Sequence, residues 1–380
     1  MAFSRFSFPT TIHFGPGVRA KLAPLLLERG FRRPLLVTDQ GLAKLPLFLA
    51  LHTDLRSAGL DAGVFSGIVG NPVESMVKAG VEAYRAHHAD CLVGVGGGAA
   101  LDVAKAIVLM VNHPGGLFDY EDDKPGALPV NHPIPTWVAL PTTAGTGSEV
   151  GRSAVISDDA THVKKIIFDP QLLAQAVFAD PELTLGLPPA VTAATGMDAL
   201  THCVEAYLAR AYHPLCDGIA LEGLAIAAEN LERCVKQPQD VEARGSMLMA
   251  SMMGAIAFQK GLGIVHSCAH ALSAAKDLHH GLANGVMIDH ALAFNVKAVP
   301  ERFQRLNLAV GLDNQDPEAF LDWLGELKQA IGIPDRLVRV KVGADDVHRL
   351  AALAFQDGCH ASNPRPCTLS DFESVFRGAL

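Results

Sequence analysis

No Cys-x-x-Cys pair occurs among the seven cysteines of this 380-residue chain, which are scattered from Cys91 to Cys367. An odd, unpatterned set gives no basis for a disulfide framework and points to reduced thiols in a reducing compartment. Dense runs of Lys and Arg are missing as well. Arg32-Arg33 and Lys164-Lys165 are only pairs, and 31 basic against 40 acidic residues leave a formal net charge of -9. A nucleic-acid or anionic-membrane partner would need a basic surface, so neither is expected. There is no window of the roughly 20 apolar residues needed to cross a bilayer. Residues Met1 to Pro9 lack the basic start and long apolar stretch of a secretory signal, so a cytoplasmic location is expected. Internal repeats and low-complexity segments are also absent. What the chain has in quantity is core material, with 49% hydrophobic and 19% charged residues. At this length a single core stops growing and two domains are the default.

The first half alternates short apolar runs with amphipathic stretches. Pro34–Thr38, Ala62–Phe65, Cys91–Val95 and Trp137–Leu140 read as buried strands, because each is short, apolar and bounded by Gly, Pro or Asp. Helical patterns lie between them at about residues 40–58, 73–88 and 99–111. Such alternation implies a parallel, Rossmann-like sheet. From Leu187-Pro188-Pro189 onward strand signals largely stop, and Ala/Leu/Met-rich helical stretches such as Leu221–Val235, Val241–Phe258 and Phe320–Ile331 take over. The expectation is an α/β dinucleotide-binding domain over 1–186 and an all-helical metal and substrate domain over 187–380.

The chemistry concentrates in two places. In the helical half, Asp198 and His202 stand at i, i+4, which stacks a carboxylate and an imidazole on one helix face. His266 and His270 repeat that spacing, and His279-His280 follow. Neutral imidazoles plus a carboxylate suit a divalent cation of borderline softness. With 16 histidines in the chain, ordinary helix histidines are the plain alternative, although two pairs in an apolar setting are harder to dismiss than one. Spacing alone would put both His266 and His270 on the metal and leaves His279 and His280 indistinguishable.

In the α/β half, Gly94-Val-Gly96-Gly97-Gly98-Ala99-x-x-Asp102 follows a strand and opens a helix. Glycines there let backbone N–H groups approach a pyrophosphate at the positive end of a helix. The acid that binds ribose should follow about twenty residues later, where Asn112–Gly116 is irregular. Asp39, directly after the strand Pro34–Thr38, is the better candidate for accepting from a ribose 2′-OH and repelling a 2′-phosphate, with a helix N-cap as the competing role. Pro141-Thr142-Thr143-Ala-Gly145-Thr146-Gly147-Ser148 follows the next strand and offers interleaved N–H and O–H donors to one ligand.

Taken together, Gly96-Gly-Gly98-x-x-x-Asp102, Pro141 to Ser148, Gly196-Met-Asp198-x-x-x-His202 and Gly261-Leu-Gly-x-x-His266-x-x-x-His270 with His280-Gly281 resemble the iron-containing (group III) alcohol dehydrogenases. The resemblance runs from Phe14 to Arg365. It implies the two-domain architecture shared with dehydroquinate synthases, with Asp198, His202, His266 and His280 as metal ligands and His270 as a histidine beside the substrate. It further implies that Asp39 favours NAD over NADP, that Gly97, Gly98, Asp102, Thr142, Thr143, Thr146 and Ser148 fall on the cofactor, and that Lys164 lies near the nicotinamide ribose. Asn71 fits a loop near the adenosine, and Phe258, Cys359 and His360 approach the substrate. Two departures stand out: Ala99 replaces the Ser of many members, removing one phosphate hydrogen bond, and the segment Phe258–Gly261 is short and carries Lys260.

The implied activity is a metal- and NAD(H)-dependent interconversion of a small primary alcohol, a diol or a hydroxy acid with its aldehyde, and a homodimer is the family-like assembly. Asp/His₃ suits Fe²⁺ and Zn²⁺ alike; intrinsic affinity favours zinc and the family name iron, the expected ion. A maleylacetate reductase-like or dehydroquinate synthase-like reaction would need clustered positive charge for acidic groups, and only Lys260, Lys276 and Arg365 stand near the site. A non-enzymatic nucleotide or metal sensor is the remaining alternative.

Overall fold

The computed structural model describes residues 8, 10–122, 124–161 and 163–380, so the expectation placed on Met1 to Pro9 falls almost wholly outside the described residues. Its contacts divide the chain into two compact units. One spans Phe8–Thr143 and Ser148–Thr184; the other spans Leu185–Leu380 and takes in Ala144–Gly147.

The first unit holds the strands β1 (Thr11–Phe14), β2 (Pro34–Asp39), β3 (Gly63–Ile68), β4 (Cys91–Gly96), β5 (Trp137–Pro141), β6 (Ser153–Ser157), β7 (Lys164–Phe168) and β8 (Ala176–Ala179). Its helices are α1 (Leu22–Glu28), α2 (Pro46–Ser57), α3 (Glu74–Ala86) and α4 (Gly98–Asn112). Six strands pair in parallel in the order β1-β8-β5-β4-β2-β3. The four expected strands, β5, β4, β2 and β3, lie side by side and run out to one edge of the sheet. Sequence reading missed β1 and β8, which are only four residues each, below the roughly 5–6 residues typical of strands. The antiparallel hairpin β6–β7 was not anticipated either. The expected helix at 40–58 begins late, because Leu45 is extended and Pro46 takes the first helical position of α2.

From β2 the chain moves to β3 on one side and then crosses back to β4 on the other. That reversal makes the carboxyl ends of β2 and β4 a topological switch point, where open parallel sheets bind ligands. Asp39 ends β2 and Gly96 ends β4. Register brings Gly96 beside Pro141 of β5.

The second unit contains α5 (Pro189–Leu208), α6 (Pro214–Lys236), α7 (Val241–Ala257), α8 (Ile264–Lys276), α9 (His280–Ala293), α10 (Pro300–Ala309), α11 (Ala319–Ile331), α12 (Val347–Gln356) and α13 (Leu369–Gly378). It has no strand among the described residues. Helix α5 is buried continuously from Gly196 to Leu208, and a helix buried all round marks the centre of a helical core. Methionines, leucines and phenylalanines from α5 to α13 pack around it. Among the described residues no single helix is long and apolar enough to cross a membrane.

Candidate functional site

Helix α5 carries Asp198, His202 and Glu205 at i, i+4 and i+7, one face of a helix. All three are buried. Helix α8 brings His266 and α9 brings His280 to that face. The Nε2 atoms of His202, His266 and His280 lie 3.9, 3.8 and 3.4 Å from Asp198 Oδ1. Asn284, one turn along α9 from His280, donates from Nδ2 to the same oxygen at 2.8 Å. Burial holds the His202 and His266 imidazoles down at about 4 and that of His280 at about 3, so all three are neutral near pH 7. Burial also works against ionisation of Asp198, but the neighbouring His202 and His280 outweigh it and keep the carboxyl below its ordinary range.

This is an unusual thing for a protein to bury. One ring nitrogen from each of three imidazoles faces the same carboxylate oxygen, and the amide of Asn284 donates to it. Ligand atoms of Asp198, His202 and His266 all lie within 4.8 Å of one another. The donor set fits a divalent cation, which would relieve the crowding of acceptors and neutralise the carboxylate.

The histidines left ambiguous by spacing separate in space. His279 caps α9, its side chain accepting from Leu282 N–H, whereas His280 faces Asp198. His270 does not share the cluster around Asp198: its Nδ1 lies 2.7 Å from Asp357 Oδ2, and its ring stacks on that of His280 at 5.1 Å. Asp357 in turn accepts from the Ser267 hydroxyl at 2.8 Å and from the Cys359 N–H at 2.9 Å. Burial raises the Asp357 carboxyl, but these donors and His270 hold it below the usual carboxylate range.

The residues expected to line a substrate pocket diverge. Phe258 packs on His202 with ring centroids 5.1 Å apart, and Cys359 Sγ lies 4.0 Å from His270 Nδ1. The His360 ring is engaged elsewhere, with Nε2 3.0 Å from the Phe355 carbonyl and the ring against Phe355 and Phe372.

Two functional-looking residues escaped sequence reading. Glu205 Oε2 lies 2.7 Å from His266 Nδ1; its i+7 spacing from Asp198 was the available signal. Burial pushes its carboxyl up to about 7, against backbone N–H groups of Val265, His266 and Gly263. Lys105, on α4, is fully buried and donates to Ser148 Oγ and to the Ser153 carbonyl, both at 2.7 Å. Nothing in its spacing set it apart from the solvated lysines of other helices.

In the α/β unit, Gly96 has φ 151 and a Cβ there would lie 2.6 Å from that of Ala100, so the turn into α4 requires glycine. Gly97 is the N-cap and brings no side-chain cap, leaving the first N–H groups of α4 for an anion. Gly98 is the first helical residue, and the Thr143 side chain lies 3.1 Å from where a Gly97 Cβ would be. Thr142 N–H donates to the Gly96 carbonyl. Asp39 Oδ1 accepts from the N–H groups of Gly41 and Leu42 at 2.9 and 2.8 Å, the cap-like role foreseen as its alternative. Asp102 accepts from Ser148 Oγ at 2.6 Å, Val155 N–H at 3.0 Å and Lys105 at 3.4 Å, so both carboxylate oxygens are committed within the unit. Lys164 pairs with Ser157 across β6–β7, Asn71 is exposed, and Thr146 lies in the segment that groups with the helical unit.

Comparison with known proteins matches two family models in tandem, iron-containing alcohol dehydrogenase over residues 9–181 and the C-terminal region of the Fe-containing alcohol dehydrogenase family over 192–380. The chain is 38% identical to a 4-hydroxybutyrate dehydrogenase of Cupriavidus necator, covering 98% of each chain. It is 35% identical to an NAD-dependent methanol dehydrogenase of Bacillus methanolicus over 99% of this chain and 100% of the other. A crystal structure of a 1,3-propanediol oxidoreductase superposes with a TM-score of 0.94 at 35% identity, over 99% of this chain and 100% of that one.

Proposed function

The chain belongs to the iron-containing alcohol dehydrogenase family and is an oxidoreductase, and from that premise we propose that it interconverts a small neutral primary alcohol or diol with its aldehyde, using NAD and a divalent cation. The observation that carries this reading is the convergence of three imidazole nitrogens on Asp198 Oδ1 in buried surroundings. Asp198, His202, His266 and His280 hold the cation, with Fe²⁺ the ion the family name suggests and Zn²⁺ the ion with the higher intrinsic affinity. When bound, such a cation supplies Lewis acidity that lowers the pKa of an alcohol oxygen and polarises a carbonyl.

The chain's own side chains do the rest. His270 keeps Nδ1 on Asp357, which leaves Nε2 to take up or return the proton of the alcohol oxygen. Phe258 packs its ring against that of His202 and helps to fix it. On the α/β unit, the bare N-terminus of α4 at Gly97 and Gly98 receives the pyrophosphate, with Thr142 and Thr143 beside it. Asp39 faces the adenosine ribose, where its charge favours NAD over NADP. Asn71, Thr146, Ser148 and Lys164 complete the proposed cofactor contacts, and Asp102 supports them by fixing Ser148. A homodimer and a cytoplasmic location accompany the reading.

Charge pairing favours a neutral substrate over an acidic one. Lys260 is buried and bonded to Asp217 and to the Tyr207 carbonyl, Lys276 pairs with Asp346 at 2.7 Å, and Arg365 stacks on Phe294 and pairs with Asp371. Hydroxy acids remain the second reading, because the 38% identical relative is named for one. An NADH absorbance screen of primary alcohols, diols and ω-hydroxy acids, on protein of measured metal content, tests both. Higher kcat/KM for 4-hydroxybutyrate than for every neutral alcohol would reverse the preference; no metal-linked turnover of any of them would end the reading.

A further inference from the structure

We propose that Glu205 is a positioning residue for the metal centre, fixing the tautomer of His266 so that Nε2 presents its lone pair to the cation. The inference rests on the metal reading of the four ligands. It stands on three backbone N–H groups and one imidazole nitrogen gathered around a single buried carboxyl group. Glu205 Oε1 accepts from Val265 N–H at 2.7 Å; Oε2 accepts from His266 N–H at 3.2 Å and faces His266 Nδ1 at 2.7 Å. The backbone N–H of Gly263 is directed at the same group.

These contacts do two jobs with one side chain. The N–H groups of the first turn of a helix lack partners within the helix, and α8 begins at Ile264 with no side-chain cap from Gly263. Glu205 supplies the cap from α5, across the core. Gly263 is needed for this approach, since a Cβ there would lie 2.7 Å from Glu205 Oε1. The same carboxylate then accepts from His266 Nδ1. A neutral imidazole has one N–H, so a proton held at Nδ1 empties Nε2, which is the atom 3.8 Å from Asp198. A carboxylate behind a ligating histidine fixes its orientation and raises its basicity. His280, by contrast, has no hydrogen-bond partner at Nδ1 among the described residues.

Glutamine cannot substitute. Both Glu205 oxygens accept, so the amide of Glu205→Gln must aim N–H₂ either at the Val265 N–H or at His266. In the second orientation it donates to Nδ1 and moves the imidazole proton to Nε2, the metal-facing atom.

The test uses full-length protein at pH 8, stripped of metal and titrated with Co²⁺ against a chromophoric chelator. Selectively ¹⁵N-labelled histidine reports the His266 tautomer of the metal-free protein. The expected result for Glu205→Gln is a Co²⁺ affinity weakened roughly 10–100-fold, with His266 shifted toward the Nε2–H tautomer and the helical circular dichroism retained. Affinity within threefold of the parent, or weakened affinity with the Nδ1–H tautomer intact, overturns the proposal. Should the variant not fold, the tautomer of the unaltered metal-free protein decides: Nδ1–H supports the proposal and Nε2–H refutes it. Failure of the parent to bind Co²⁺, with Asp198→Asn no different, sinks the metal reading instead, and the tautomer still judges what Glu205 does.

Discussion

Replacing Glu149 by glutamine removes a carboxyl whose buried Oε1 has no hydrogen-bond partner among the described residues. Glu149 follows Ser148 in a short turn and is 1% exposed. Burial pushes its carboxyl up to about 7 from 4.5, with Lys105 pulling in the other direction. A folded-state value raised above the unfolded one means that the native protein binds more protons between pH 4.5 and 7. The group's contribution is therefore fully present below pH 4.5 and is lost as pH rises through 7. The displacement corresponds to about 3 kcal/mol. Glutamine stays neutral throughout, so the stability difference between parent and Glu149→Gln is expected to move by about 3 kcal/mol in favour of the variant from pH 4.5 to pH 8. Urea midpoints of metal-free protein across that range measure it. Removing the Lys105 charge in Lys105→Met takes away the opposing influence, and the titration should move to still higher pH. Parallel stability curves for parent and Glu149→Gln would show that the carboxyl is solvated or paired, and the reasoning from burial would fail.

Other outcomes follow from the helical unit and the switch point. His280→Ala should lose bound metal, while His279→Ala should keep it and forfeit only a helix cap, less than about 1 kcal/mol in urea unfolding; metal analysis showing the reverse would put the ligand register off by one. His270→Ala should retain metal and lower kcat roughly 100-fold, and equal turnover would remove the proton-relay role. Asp39→Ala should improve discrimination toward NADPH by at least roughly tenfold, equivalent to ~1.4 kcal/mol of relieved repulsion, read from kcat/KM with both cofactors.

The elements legible in sequence were those with a strong local signal. Strands β2, β4 and β5 are apolar runs ended by Asp, Gly or Pro, and α4 announces itself by three glycines before an apolar helix. What escaped was set by long-range partners. Four-residue β8 is a strand because it pairs with both β5 and β1, and β1 because it pairs with β8 at the sheet edge, and their own side chains carry little of that information. Spacing found Asp198, His202 and His266 but grouped His270 with them wrongly; the fold turns His270 to Asp357, 87 residues away. His279 and His280 differ only in which one starts α9, a boundary that sequence periodicity does not resolve. Glu205 and Lys105 went unseen for the same reason: their importance lies in their burial, and burial belongs to the assembled structure.

The most direct measurement is metal content against activity. Protein stripped with a chelator and reloaded anaerobically with Fe²⁺ should regain NAD-linked oxidation of a small neutral alcohol such as 1,3-propanediol in proportion to bound iron, saturating near one ion per chain, and Asp198→Asn should regain none. Full activity in the stripped protein, or iron binding undiminished in Asp198→Asn, would contradict the account.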